Sequence, residues 1–247
     1  MEKVYQAEYA GHPVRFAFLH PYTRQHFKFW LHPVEGEDYD IEATPEQVSR
    51  TLALMPESNP EYYAEYKALI GPTSEYLLQY DCCIFHAVAF LWRGRAWLLT
   101  APSGTGKTTQ FMNWRRLRPG EIEMICGDMP VLELRKDGSV WAHSSNWNGK
   151  EGVGNKVSAP LGGLILLEQG QVNRITSLPV RDAIAPLLCQ FAVAFDTEEK
   201  IRSVCKLLDG VLCSYPVWKF VNLGDAASTE LLRRTIAERT GGENETV

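Results

Sequence analysis

Residues Ala101-Pro102-Ser103-Gly104-Thr105-Gly106-Lys107-Thr108-Thr109 constrain this chain more than any other stretch. They follow an apolar run, Ala96-Trp97-Leu98-Leu99-Thr100, that reads as a strand. They precede Thr109-Gln110-Phe111-Met112-Asn113-Trp114, which reads as a helix start. Strand, glycine-rich turn and helix in that order form a phosphate-cradling loop. Gly104 and Gly106 carry no Cβ, so their backbone can approach a polyphosphate closely. Successive amides and the helix N-terminus supply positive potential. Ser103 to Thr109 are the expected phosphate-binding residues. Among them Lys107 would reach the β- and γ-phosphates of ATP, and the Thr108 hydroxyl would meet Mg²⁺. The strict form of the motif opens on glycine where this chain has Ala101. Alanine fits there if its φ stays negative.

The rest of the chain is compatible with a large α/β domain. It has 247 residues, 45% hydrophobic and 22% charged, a globular composition. A formal net charge of −5 without a long basic run argues against nucleic acid as partner. No apolar run approaches the ~18–20 residues of a membrane helix. The N-terminus lacks a signal-peptide pattern, so a cytoplasmic location is expected. Six cysteines (82, 83, 126, 189, 205 and 213) include no Cys-x-x-Cys pair, and they read as reduced thiols without zinc.

Along the chain, residues 1–75 read as an α+β region: a docking unit or an extension of the central sheet. Val14–Phe18 and Phe27–Phe29 alternate as antiparallel strands should. Thr44-Pro45-Glu46-Gln47 has the pattern of a capped helix start. Tyr62, Tyr63 and Tyr66 lie at helical spacing, and Gly71-Pro72 reads as an interruption before a helix from Ser74.

Residues 76–240 read as the phosphate-loop domain. Cys82–Trp92 reads as one strand, then a Gly94 turn, the loop strand and its helix, which ends near Arg118-Pro119-Gly120. Strands are expected at 122–126, 131–134, 140–143, 164–167 and 217–221, with a turn at Asp137-Gly138. Val172–Ile175 is expected to pair with 164–167. Helices are expected at 181–191, 197–212 and 227–239, and residues 241–247 read as a disordered tail.

A phosphate loop needs a carboxylate, for the metal or for the attacking group. Asp128 is the best candidate, since it ends an apolar strand that an α/β layer would bring beside the loop. His86, in Ile84-Phe85-His86-Ala87-Val88, reads from the residues alone as either a hydrogen-bonded core side chain or a catalytic one.

Taken together, Phe85-His86-Ala87-Val88, the Pro102–Thr109 loop, Gly127-Asp128, Asn146-Trp147-Asn148-Gly149-Lys150 and Pro160-Leu161-Gly162-Gly163 resemble one family. They are similar to the catalytic domain of HPr kinase/phosphorylase, whose fold is shared with phosphoenolpyruvate carboxykinase. The resemblance covers roughly residues 80–225. It implies a P-loop α/β fold with a mixed sheet flanked by helices, and frequent homo-oligomers. It implies ATP and Mg²⁺ as cofactors and a protein or peptide hydroxyl as phosphoacceptor. By the resemblance His86 is the active-site histidine and Asp128 the acid or base, with Lys107 as the third catalytic residue. Thr108, Asp128 and Glu151 fall at metal-binding positions, and Lys150 could contact phosphate. Met129 stands where the family has a second aspartate. Two alternatives remain open at this point: a small-molecule kinase of the same fold, and a nucleotide-binding regulator with little catalysis.

Overall fold

The computed structural model describes residues 4–149, 152 and 154–241. Lys150, Glu151 and the tail from 242 on lie outside the described residues.

The N-terminal segment opens with a tight hairpin, β1 (Tyr5–Tyr9) and β2 (His12–Phe16), joined by β3 (His32–Pro33). Phe27–Phe29 does not form the expected strand. It lies in a 3₁₀ segment, Thr23–Trp30, that bends at Lys28 (φ 51°, ψ −125°). The short alternation there is the i, i+3 spacing of Phe27 and Trp30, both buried against the hairpin.

Helix α1 (Pro45–Ala53) begins as its sequence dictates. The Thr44 side chain accepts from the Gln47 amide, and the Gln47 side chain accepts from the Thr44 amide. Helix α2 (Glu61–Ala68) gives way at Leu69 to α3 (Ile70–Leu77). The break therefore precedes Gly71-Pro72. Pro72 sits in the first turn of α3, where its missing N–H costs no intrahelical bond.

The large sheet runs β4-β8-β9-β10-β6-β5-β7, with β12 on β10 and β11 on β12. Its strands are β4 (Cys82–Ile84), β5 (Val88–Trp92), β6 (Arg95–Thr100), β7 (Glu123–Cys126), β8 (Val131–Leu134), β9 (Val140–His143), β10 (Ser158–Gln169), β11 (Arg174–Ser177) and β12 (Val217–Asn222). The start of β10 pairs antiparallel with β9, and its end pairs parallel with β12, so the sheet is mixed and curls there. β12 also separates β11 from β10, so 174–177 does not pair with 164–167.

Helices cover both faces. α4 (Lys107–Leu117) and α7 (Ala226–Gly241) pack on one side through Phe111, Trp114, Leu232 and Ile236. α5 (Val180–Leu188) and α6 (Glu198–Ser214) pack on the other through Leu187, Val204, Leu207 and Val211. Each such fully buried aliphatic side chain contributes about 1.5–3 kcal/mol. Gly162 and Gly163 sit at a bulge where Trp97 crosses. A Cβ on Gly162 would meet the indole at 2.7 Å, so the Gly-Gly pair serves packing.

The N-terminal segment shares its core with the sheet. Tyr9, Phe16, Phe27, Tyr66 and Leu69 pack with Ile84, Val131 and Trp147 in one cluster. Among the described residues no helix is long and apolar enough to cross a membrane.

Candidate functional site

β10, β12 and β7 all run parallel to β6, because β5 is antiparallel to both β6 and β7. The carboxyl ends of four strands and the start of β5 thus share one edge of the sheet. In open α/β sheets that edge is where ligands bind.

The glycine-rich loop leaves β6 at that edge. Gly104 (φ 80°) and Gly106 (φ 104°) adopt left-handed backbone, which side chains with a Cβ rarely take. Ala101 is buried and is not among the residues with positive φ, so alanine fits the first motif position. Gly106 caps α4 without a side-chain hydrogen bond, and no acidic residue lies in the first turn. The helix dipole therefore faces the loop without a carboxylate of its own helix to answer it. Lys107 is buried, and its Nζ donates to the carbonyls of Ala101 at 2.7 Å and Pro102 at 3.4 Å. Burial lowers its pKa, and the Asp128 carboxylate opposes that shift.

The helix behind the loop is anchored by buried amides and hydroxyls. Gln110 donates to Asn222 at 2.8 Å and to Ser228 at 2.7 Å, and accepts from Thr229 at 3.1 Å. Asn222 in turn donates to the Glu168 carbonyl at 3.0 Å. The loop helix, β10, β12 and α7 are thereby fixed together by satisfied polar groups, which a core tolerates.

His86 and Asp128 meet at the same edge. The run from Cys82 to Trp92 is two strands, broken at 85–87, with His86 in the break. The break follows from pairing: β4 belongs with β8, whereas β5 belongs with β6 and β7. The His86 amide donates to Gln190 at 2.8 Å, and its carbonyl accepts from Thr100, the last residue before the loop, at 2.9 Å. The Ala87 amide donates to the Asp128 carbonyl at 2.9 Å. Asp128 Oδ1 then lies 3.4 Å from His86 Nε2, and His86 Nδ1 lies 3.2 Å from Gln190 Oε1. Both ring nitrogens of His86 therefore face oxygen acceptors.

A third side chain, which the sequence reading missed, completes this cluster. Lys67, from α2, places Nζ 3.4 Å from Asp128 Oδ2. Burial works to raise the Asp128 pKa, but hydrogen bonding from His86 and the charge of Lys67 outweigh it and hold the carboxyl below its ordinary value. No motif marks Lys67 in the sequence. It lies in an ordinary helix among tyrosines, and only the packing of α2 against the sheet brings it to Asp128.

The segment between β9 and β10 is held by the N-terminal aromatic cluster. Tyr9 and Tyr66 hydroxyls donate to Asn146 Oδ1 and to the Asn146 carbonyl, at 2.5 Å and 2.8 Å. The fully buried Trp147 donates Nε1–H to the Tyr66 carbonyl at 3.0 Å and stacks on Tyr9. The Trp147 carbonyl accepts from the Met129 amide at 3.0 Å, and Asn148 Oδ1 accepts from the Gly127 amide at 3.1 Å. Asp128 is thus braced on both sides. The Met129 side chain packs on this aromatic cluster, which takes no carboxylate. Lys150 and Glu151 lie outside the described residues.

A hard cation such as Mg²⁺ takes few protein ligands and keeps phosphate oxygens and waters. Among the described residues no group of three or more His, Cys, Asp and Glu could hold a metal alone. The Thr108 hydroxyl on the first turn and the Asp128 carboxylate are oxygen donors of the right hardness, and the uncapped α4 turn suits the phosphates.

Beside the loop, toward β10, a cleft of about 600 Å³ opens between residues 102–105, the end of β10 and the end of α5.

No protein-family model matches the chain, and no curated protein matches it. Among solved structures it is similar to the Hpr(Ser) kinase/phosphatase from Coxiella burnetii. That similarity is distant and partial, at TM-score 0.34 and 11% identity over 65% of this chain and 94% of that one. The fold is α/β, with a mixed, partly curled sheet flanked by helices.

Proposed function

We propose that the chain is an ATP- and Mg²⁺-dependent kinase that phosphorylates a hydroxyl, most simply a serine of a small protein or peptide. The observation that carries this reading is the pairing of one braced carboxylate, Asp128, with a phosphate loop at the same sheet edge. The Asp128 carboxylate is braced there by His86 and Lys67.

In this reading the loop amides and Lys107 cradle the β- and γ-phosphates. Thr108 and Asp128 would hold Mg²⁺, which would offset charge on the phosphates. Asp128 orients the acceptor hydroxyl and takes its proton as the new O–P bond forms and the bond to the β-phosphate oxygen breaks, releasing ADP. His86 and Lys67 keep the carboxylate ionised and aimed, and Gln190 fixes the His86 ring. Residues 4–77 would then be part of the catalytic unit, since α2 brings Lys67.

A second reading, a nucleotide-binding regulator with little turnover, is favoured by Met129, whose side chain supplies no second carboxylate. Incubation with γ-labelled ATP and cell extract separates the cases. Label on a polypeptide supports the first reading, label on a metabolite supports a small-molecule kinase, and binding without transfer supports the regulator. Lys107→Ala should abolish transfer while leaving the circular-dichroism spectrum and melting cooperativity intact. Unchanged turnover in that variant would refute the assignment.

A further inference from the structure

The phosphate loop has two flanks. Asp128, His86 and Lys67 stand toward β5 and β7, and the cleft opens toward β10, with Gln190, which lines the cleft and touches His86, between them. Phosphoryl transfer is an in-line displacement, with entering and leaving oxygens on opposite sides of phosphorus. If the acceptor hydroxyl approaches from the Asp128 side, the leaving oxygen of the β-phosphate points away from it, and the nucleoside beyond that phosphate has the β10 side open to it.

The cleft there has the chemistry such a group needs. Leu166, Leu167 and Pro186 form apolar walls, suited to the faces of a flat base. Two amides supply polar groups. Gln169 Nε2 lies 3.5 Å from the Gly104 carbonyl and 3.4 Å from that of Thr105, so it ties the wall to the loop. Gln190 is buried, and Pro186 fixes its amide: Nε2 donates to the Pro186 carbonyl at 3.2 Å, which turns Oε1 toward His86. A volume of about 600 Å³ lies within the range of small-molecule pockets.

We propose that this cleft, between the phosphate loop, the end of β10 and the end of α5, receives the nucleoside of the triphosphate. The acceptor is thereby confined to the Asp128 flank. The proposal rests on Asp128 marking the acceptor side.

The chain carries its own reporter. Cys189 is exposed and lines the cleft. Cys205, on α6, is exposed away from it and serves as a control, whereas Cys82, Cys83 and Cys126 are buried. The wild-type protein is labelled with N-ethylmaleimide, and site-resolved rates are read by mass spectrometry. Rates are compared without ligand, with Mg–ATP and with Mg–tripolyphosphate, each at ten times its measured Kd.

Mg–ATP should slow Cys189 labelling about tenfold, as expected from the fraction of sites left free at that concentration, with Cys205 unchanged. Tripolyphosphate, which has no nucleoside, should leave Cys189 at its free rate. Equal Cys189 rates with and without bound ATP would overturn the proposal while leaving the kinase reading standing. So would equal slowing by ATP and tripolyphosphate. If calorimetry detects binding of neither ligand, the kinase reading fails and takes this proposal with it.

Discussion

Trp147→Ala should destabilise the protein by about 3–5 kcal/mol, the range for emptying a buried indole site. The indole is fully buried. It stacks on Tyr9 at 5.6 Å and Tyr66 at 6.1 Å between centroids, and meets Phe27 edge-on at 5.8 Å. Such ring pairs contribute about 0.5–1.5 kcal/mol each beyond area burial. The hydrogen bond to the Tyr66 carbonyl adds about 1 kcal/mol. Trp147→Phe keeps a ring but loses that bond and part of the volume, so about 1–2 kcal/mol should be lost. For a chain of this length, the alanine loss corresponds to a fall in Tm on the order of 10 °C. Urea titration followed by circular dichroism measures both variants. The loss should reach the site as well, because the residues flanking Asp128 are bonded to Trp147 and Asn148. Transfer activity should therefore fall more than nucleotide affinity. An alanine penalty below about 1 kcal/mol with an unchanged urea slope would refute the view that the N-terminal cluster and the sheet share one core.

Three further outcomes are expected. Gly106→Ala places a Cβ 4.0 Å from Leu167, so there is room, but φ 104° is unfavourable for alanine. At a cost of about 1–2 kcal/mol for left-handed backbone, ATP affinity measured by calorimetry should drop about tenfold or the loop should refold, and an unchanged Kd argues against this loop geometry. Lys67→Met should cut turnover about tenfold with ATP affinity unaltered, and Lys67→Arg should recover part of it. Equal turnover in all three proteins would remove Lys67 from the site. His143 is buried between Glu133 and Ser158, at 2.9 Å and 2.8 Å. Burial lowers its pKa below the ordinary imidazole value of 6.5, against the pull of Glu133. The unfolded chain then binds a proton first, so His143's contribution to stability is present above pH 6.5 and declines as pH falls from there toward the lowered folded value. His143→Asn should flatten that part of the urea-stability profile, and an identical slope in variant and wild type would contradict the assignment.

Much of the loop flank was legible because its signals are local. The glycines at 104 and 106, the apolar strand before them and the helix after them are set by short-range sterics and periodicity. So are the Thr44–Gln47 cap and the Asp137-Gly138 turn. The placement of Asp128 at the loop's edge of the sheet was legible as well, since it follows an apolar strand of the same layer.

What the sequence could not carry was pairing between distant segments. Cys82–Trp92 looks continuous because apolar runs do not encode which neighbour each half will find. The tertiary structure splits it at His86, and that break turns a core-looking histidine toward Asp128. Phe27–Phe29 forms no strand and Val172–Ile175 does not pair with 164–167 for the same reason: alternation says which face is apolar, and only long-range packing decides what that face meets. Lys67 illustrates this limit most clearly. Nothing within its own helix distinguishes it from a solvated lysine. Its proximity to Asp128 exists only because residues from 5 to 77 fold onto the sheet edge through a common aromatic core, an arrangement fixed by contacts between parts of the chain that no local pattern relates.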